Sequence, residues 1–151
     1  TLTLWPWLVC ERDGEGLGYA YASRHRTRAA YQWSVDTSVY AHARVHRAGV
    51  GRALYTSLMA LLRLQHFFNA YAGITLPNSA SVALHESVGF QALGVYQAVG
   101  YKLDAWHDVG WWQLALQPHT QAPQAPTALP IARDAPAWPA ALAQGLAGLR
   151  L

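Results

Sequence analysis

The feature that most restricts this chain is a change of hydrophobic period across a Gly-x-Gly step. Over residues 31–40 apolar and polar residues alternate. Trp33, Val35, Thr37 and Val39 fall on one side, and Gln32, Ser34, Asp36, Ser38 and Tyr40 on the other. Over residues 50–67 the spacing becomes three and four, with Leu54, Leu58, Leu61, Leu62 and the aliphatic stem of Gln65 on one stripe. Gly49 and Gly51 stand at the change. A one-faced strand running directly into a one-faced helix needs further strands to complete a core, so the class is mixed α/β.

The remaining pattern supplies those strands. Residues 7–11 and 18–22 read as strands flanking Asp13-Gly14, a hairpin signal. Residues 69–76 read as a strand, and residues 78–88 as a second helix opened by Asn78 or Ser79 and closed by Gly89. Residues 90–102 and 111–116 provide the last strands, with His107 and Asp108 in an aromatic-rich turn between Trp106 and Trp111. The expected order is β-β-β-α-β-α-β-β, without an internal repeat. Composition shifts near residue 117: residues 118–151 contain six Pro and ten Ala. Residues 118–136 are expected to be irregular and residues 140–149 to form a marginal helix, weakened by Gly145 and Gly148. The functional domain is expected over 1–117, with 118–151 as a Pro/Ala-rich tail.

Composition excludes several classes. With 52% apolar and 13% charged residues the chain is not a disordered polyelectrolyte. Its apolar runs are too short to span a bilayer, and no secretory leader precedes the first strand. The single cysteine, Cys10, forbids an internal disulfide, argues against a Cys-based zinc site and fits a reducing cytoplasm. The net charge of +3 comes from dispersed arginines, so nucleic-acid binding is not expected; a few local arginines suit an anionic small molecule better. His25, His42, His66 and His119 read as background, without metal-ligand companions at useful spacing, and no metal is expected.

Three groups carry chemistry. The backbone of Arg47, Ala48, Gly49, Val50, Gly51 and Arg52 can point successive N–H groups outward where a helix dipole also favours anions, which suits a pyrophosphate; a plain tight turn is the alternative. It is neither a dinucleotide fingerprint nor a P-loop, since a third Gly and a Gly-Lys-Ser/Thr are both absent. Asp36 is a carboxylate on the polar side of an otherwise apolar strand, readable as a general base or as a solvated residue. His85, on the second helix, reads as a proton carrier or as a packed histidine. Arg26 and Arg28 are two apart, so in extended chain they share a side and can grip a carboxylate or phosphinate; a solvated basic loop is the alternative.

The segment HRAGVGRAL resembles the acetyl-CoA loop of the GNAT superfamily, Q/R-x-x-G-x-G/A, with His46 at the first position. LPNSASVALHESVGF resembles that superfamily's later helix. The blocks GYAYASRHRTRAAYQWSVDTSVYAH, RAGVGRALYTSL, ITLPNSASVALHESVGF and AWHDVGWWQLAL narrow the resemblance to the phosphinothricin and methionine sulfoximine N-acetyltransferases, over about residues 6–116.

The resemblance implies a GNAT-like mixed, mostly antiparallel splayed sheet flanked by helices, truncated at its N-terminus so that the family's first strand and two helices are lacking. It implies acetyl-CoA as cosubstrate, with the 47–52 backbone on the pyrophosphate and the backbone of Val39, Tyr40 and Ala41 along the pantetheine. Asn78 would orient the pantetheine end. Asp36 takes the place of the family's Glu as general base, and His85 acts as base or as acid to the departing thiolate. Arg26, Arg28 and Tyr31 fall near the acceptor, a small glutamate-like amino acid, and Tyr55 is core or closes the acyl end. A homodimer is implied, with Trp111 and Trp112 as sheet core or dimer contact. The alternatives are a CoA-binding fragment without activity and transfer to another amine, such as an aminoglycoside or a protein N-terminus. Arg26 and Arg28 argue against a cationic aminoglycoside.

Overall fold

The computed structural model describes residues 4–151. Strands β1 (Trp7–Arg12) and β2 (Glu15–Arg24) form a hairpin closed by Asp13 and Gly14, both at positive φ (53° and 79°). A 3-10 turn at Ala29–Tyr31 follows, so β3 (Ser34–Ala41) begins later than the alternation predicts. After a second 3-10 segment (Ala43–Ala48), Gly49 adopts the left-handed conformation (φ 82°) and helix α1 (Val50–Leu64) starts. Strand β4 (Asn69–Leu76), helix α2 (Ser79–Ser87) and strands β5 (Gln91–Lys102) and β6 (Ala105–Ala115) complete the α/β unit.

The six strands are ordered β1-β2-β3-β4-β6-β5, antiparallel except for the β3–β4 pair. This is the mixed, mostly antiparallel sheet the sequence implies. The last hairpin is longer than expected, because its turn is only Leu103 and Asp104, both at positive φ (51° and 60°). His107 and Asp108, expected in that turn, therefore lie within β6. The Asp108 carboxylate accepts the Ala98 N–H at 2.7 Å, where the β5–β6 register shifts.

Helices α1 and α2 share one face of the sheet. Leu54, Leu58 and Leu62 of the predicted stripe are buried there with Tyr55, Val35, Phe67, Ala70, Ala72, Phe90 and Trp112. The other face carries a stack of exposed aromatics. Trp7 lies on Tyr21 (ring centroids 4.4 Å apart) and near Tyr19 (5.5 Å), and Tyr19 continues to Tyr40 (5.4 Å). Trp111 and Trp112 divide between the faces: Trp112 is core, and Trp111 lies over Gly73, whose added Cβ would stand 3.1 Å from the indole.

The segment after residue 117 is more ordered than its prolines suggest. It forms helices α3 (Leu129–Arg133) and α4 (Trp138–Ala143) and a 3-10 turn at Gln144–Gly148. Pro130 and Pro139 sit in the first turns of α3 and α4, where a helix needs no N–H donor. They open helices instead of breaking them. The tail is fastened along α1. The Ser57 hydroxyl donates to the Leu142 carbonyl (2.8 Å) and accepts the Gly145 N–H (2.9 Å). Gln65, fully buried, donates to the carbonyls of Leu4 (2.6 Å) and Thr127 (3.1 Å), and the Arg150 N–H reaches the Ala48 carbonyl (2.9 Å).

Gly145 is the tightest point of this seam. A Cβ there would stand 2.0 Å from the Ala53 carbonyl oxygen and 2.8 Å from the Ser57 hydroxyl. Gly145→Val is expected to unseat the tail, lowering stability by about 1–3 kcal/mol, the usual cost of overpacking. Faster proteolysis between residues 118 and 151, with a lower Tm, would register it; unchanged protection would show that the seam is not held here.

Candidate functional site

The site is made by strands that part. β3 and β4 pair only at Ser34–Asn69, Val35–Ala70 and Asp36–Tyr71. Beyond Asp36, β3 stays on β2 through Ala41 while β4 stays on β6 through Leu76. The His42 N–H donates to the Leu17 carbonyl (2.8 Å), so even-numbered β3 residues spend their peptide groups on β2. The odd-numbered residues turn theirs toward β4: Thr37 stands beside the last paired position, Asp36–Tyr71, and Val39 and Ala41 face the slot. Of the three backbone positions singled out beside it, Val39 and Ala41 therefore face the opening, and Tyr40 faces β2 and the aromatic stack. The His46 Nε2 lies 2.9 Å from the Ala41 carbonyl, closing the slot's outer end.

The Gly loop stands at that end. The first N–H groups of α1, a 15-residue helix, have no carbonyl one turn earlier to receive them. Arg47 and Arg52 are exposed beside them. The glycines also answer to packing. A Cβ on Gly49 would stand 2.7 Å from the Gly148 carbonyl oxygen, and one on Gly51 3.0 Å from Leu84 Cδ2. Their missing side chains point at the tail and at α2. Asn78 caps α2 by accepting the Ser81 N–H (3.1 Å).

At the inner end of the slot is Asp36. Its Oδ1 lies 2.6 Å from His25 Nδ1, and the His25 ring stacks on Tyr71 (centroids 4.5 Å apart). A cavity of about 390 Å³ opens in front, lined by His25, Arg26, Tyr71, Tyr96 and Trp111 together with the β5 backbone. The buried indole N–H of Trp111 has no hydrogen-bond partner among the described residues. His25 was passed over in the sequence because it has no metal-ligand companions. The missed signal was register. Ser23 pairs with Asp36, so the residue two further on falls on the same side of the sheet.

His85 lies on the other side of the sheet. It is 4% exposed, and its Nδ1–H donates to the Ser81 carbonyl (2.7 Å). Nε2 is thereby left to accept the Tyr55 hydroxyl (2.9 Å), which also approaches the Thr37 hydroxyl (3.3 Å). Thr37 bonds the Tyr71 carbonyl (3.2 Å) at the point where β3 and β4 separate. The chain His85–Tyr55–Thr37 thus reaches the slot from the helix side, while Asp36 and His25 border it from the open side. Burial raises the Tyr55 phenol well above its usual range and lowers His85, the Ser81 hydrogen bond opposing the latter.

Arg26, Arg28 and Tyr31 sit on the loop after β2. Arg28 and Tyr31 line a neighbouring hollow of about 230 Å³, and Arg26 borders both that hollow and the larger cavity. The Arg26 guanidinium donates to the His25 carbonyl (2.8 Å). Among the described residues no cluster of three or more metal-ligating side chains occurs, and no helix is long and apolar enough to cross a membrane.

Residues 3–111 match the acetyltransferase (GNAT) domain model. The chain belongs to the GNAT acetyltransferase family. Within it, the chain is 47% identical over 109 residues to a phosphinothricin N-acetyltransferase of Streptomyces viridochromogenes, covering 72% of this chain and 60% of that protein. It is 36% identical over 121 residues to an L-methionine sulfoximine/L-methionine sulfone acetyltransferase of Salmonella typhimurium, covering 80% and 70%. Among solved structures it is similar to a GNAT phosphinothricin acetyltransferase from Sinorhizobium meliloti in complex with acetyl-CoA. There the TM-score is 0.71 and the identity 31%, over 79% of this chain and 68% of that one. The chain spans three fifths of the length of the Streptomyces relative. Against the GNAT loop pattern, the departure at His46 is now placed: its ring bonds the Ala41 carbonyl.

The lowered His85 value makes stability depend on pH. Imidazole ordinarily titrates near 6.5, so below about that pH the unfolded chain binds a proton that folded His85 refuses. Stability is full above this point and falls as pH drops, until His85 itself protonates. His85→Gln, which can still accept from Tyr55, is expected to flatten that part of the acid limb of Tm between about pH 7.5 and 5.5. Equal acid loss in wild type and variant would assign the limb to other groups.

Proposed function

We propose that the chain acts as an acetyl-CoA-dependent N-acetyltransferase on the amino group of a small glutamate-like amino acid, such as phosphinothricin or methionine sulfoximine. The observation that carries this reading is the slot between β3 and β4. It leads from a helix start suited to an anion to a cavity bordered by Arg26 and by the imidazole of a carboxylate–imidazole pair. The residues suit acetyl-CoA: the α1 N–H groups, with Arg47 and Arg52, for the pyrophosphate, and the slot-facing peptide groups of Val39 and Ala41 for an extended amide chain. To the pantetheine end we assign Asn78, the cap of α2 shortly after β4. When bound, acetyl-CoA supplies the activated acyl group.

The protein's own residues do the rest. Asp36 supplies the negative charge that draws the proton off the ammonium, directly or through a group bonded to it. His85 acts through Tyr55 and Thr37 on the opposite face, the side from which a departing thiolate receives its proton. Arg26, Arg28 and Tyr31 hold the acceptor's anionic groups. Residues 1–117 carry this chemistry, and residues 118–151 brace α1 behind it. The setting we propose is cytoplasmic, as a homodimer, resting on the exposed apolar row Leu93, Val95, Tyr96, Val99 and Tyr101 of β5.

Arg52→Glu puts a negative charge at the helix start, and is expected to weaken acetyl-CoA binding at least tenfold, about 1.4 kcal/mol, in calorimetry. Tm should hold, since Arg52 is exposed. Unchanged affinity would remove the loop from the cofactor site. Arg28→Ala is expected to raise KM for phosphinothricin about tenfold or more and leave KM for acetyl-CoA alone. An equal loss with amines that lack an acid group would end the clamp assignment. Binding of acetyl-CoA without thiol release toward any amine would favour the inactive-fragment alternative.

A further inference from the structure

We propose that His25 is the group that takes the proton from the acceptor ammonium, with Asp36 positioning it from behind; this rests on the N-acetyltransferase reading above. His25 borders the 390 Å³ cavity, and Asp36 is not among its lining residues. The imidazole stands between the carboxylate and the space an amine would enter. With Nδ1–H donating to Asp36 Oδ1 at 2.6 Å, the lone pair is on Nε2, which makes no hydrogen bond to the described residues. Stacking on Tyr71, only 18° from parallel, fixes the ring plane. The pair is partly sheltered, with side-chain exposures of 16% for His25 and 31% for Asp36.

The arrangement resolves a problem of reach. Asp is shorter than Glu by one methylene, about 1.5 Å. An imidazole bonded to the short carboxylate carries the basic atom forward to the cavity and makes a bridging water unnecessary. The other groups facing His25 are Arg26 on its own loop, Tyr71 of β4, and Tyr96 of β5 and Trp111 of β6 around the cavity. Asp36 is the one carboxylate bonded to it. It stabilises the imidazolium as it forms, and Arg26 is turned to the His25 backbone carbonyl.

Nε2 takes one proton from R–NH3+, giving imidazolium and free amine. The nitrogen lone pair forms the C–N bond at the thioester carbonyl, and the C–S bond breaks with its electron pair going to sulfur. The acylated nitrogen loses its second proton, sulfur gains one, and the imidazolium returns its proton to solvent.

The test follows thiol release by the full chain with acetyl-CoA and phosphinothricin. His25→Gln keeps a donor to Asp36 but cannot take a proton. It is expected to lower kcat by about 100-fold or more, a typical acid–base contribution, with KM for acetyl-CoA unchanged. The pH profile of kcat/KM should differ between this variant and the wild type, which a merely structural histidine would not produce. His25→Gly should regain activity when free imidazole is added, which a merely structural histidine would not allow. A His25→Gln enzyme as active as wild type, or a His25→Gly enzyme indifferent to imidazole while Asp36→Asn is inactive, would overturn the proposal and leave Asp36 as the direct base. Wild-type chain that releases no thiol with any amine would defeat the underlying transferase reading instead, and the proton role with it.

Discussion

The separation of β3 from β4 is the constraint on which the rest of this molecule depends. A parallel pair normally continues until one strand ends. Here it stops after Asp36 and Tyr71, because each strand keeps its other partner while the two diverge. Val39 and Ala41 are left with peptide groups that no strand among the described residues receives. Unpaired backbone is costly when buried, so such an opening survives only where water or a ligand can reach it. The helix start at Gly49 is placed at one end of the opening and the Asp36–His25 pair at the other.

The sheet also keeps two polar networks apart. On the helix side, Ser81, His85, Tyr55 and Thr37 form a buried chain with both imidazole nitrogens engaged. On the open side, His25, held by Asp36 from behind, and Arg26 meet the cavity. One strand supplies a residue to each network, because Asp36 and Thr37 are neighbours in sequence and point to opposite faces. Burial holds the first network neutral, whereas the second has access to solvent and substrate. One slot thus lies between a buried network on one face and an open one on the other.

The tail gives this arrangement its backing. Helix α1 has one side in the main core and another against α4 and the following turn. Ser57 and Gln65 hydrogen-bond to segments far away in sequence. The Arg150–Ala48 bond and the approach of Gly148 to Gly49 tie the end of the chain to the loop at the start of α1. The loop's geometry is therefore set from both sides.

Much of the fold was legible from residue order. The change of period at Gly49-Val50-Gly51, the Asp13-Gly14 turn, the Leu54–Leu58–Leu62 stripe and the Asn78 cap depend on local periodicity and local backbone preference, and these act over a few residues. The site's main chain elements and Asp36 were legible for the same reason, once the loop motif and strand were in hand. What failed locally did so for tertiary reasons. Pro130 and Pro139 occupy the first turns of helices, the second of which packs on α1, and His107 and Asp108 stay in a strand because a two-residue turn brings β5 beside them. His25 could not be chosen among the histidines by spacing, since its significance lies in a carboxylate 11 residues away that only strand pairing brings to 2.6 Å. The sequence by itself determined which elements form and which chemistry they carry. Where β3 and β4 part, and which side chains meet across that gap, was decided by the tertiary structure, because contacts between distant segments depend on the register and packing of the whole sheet.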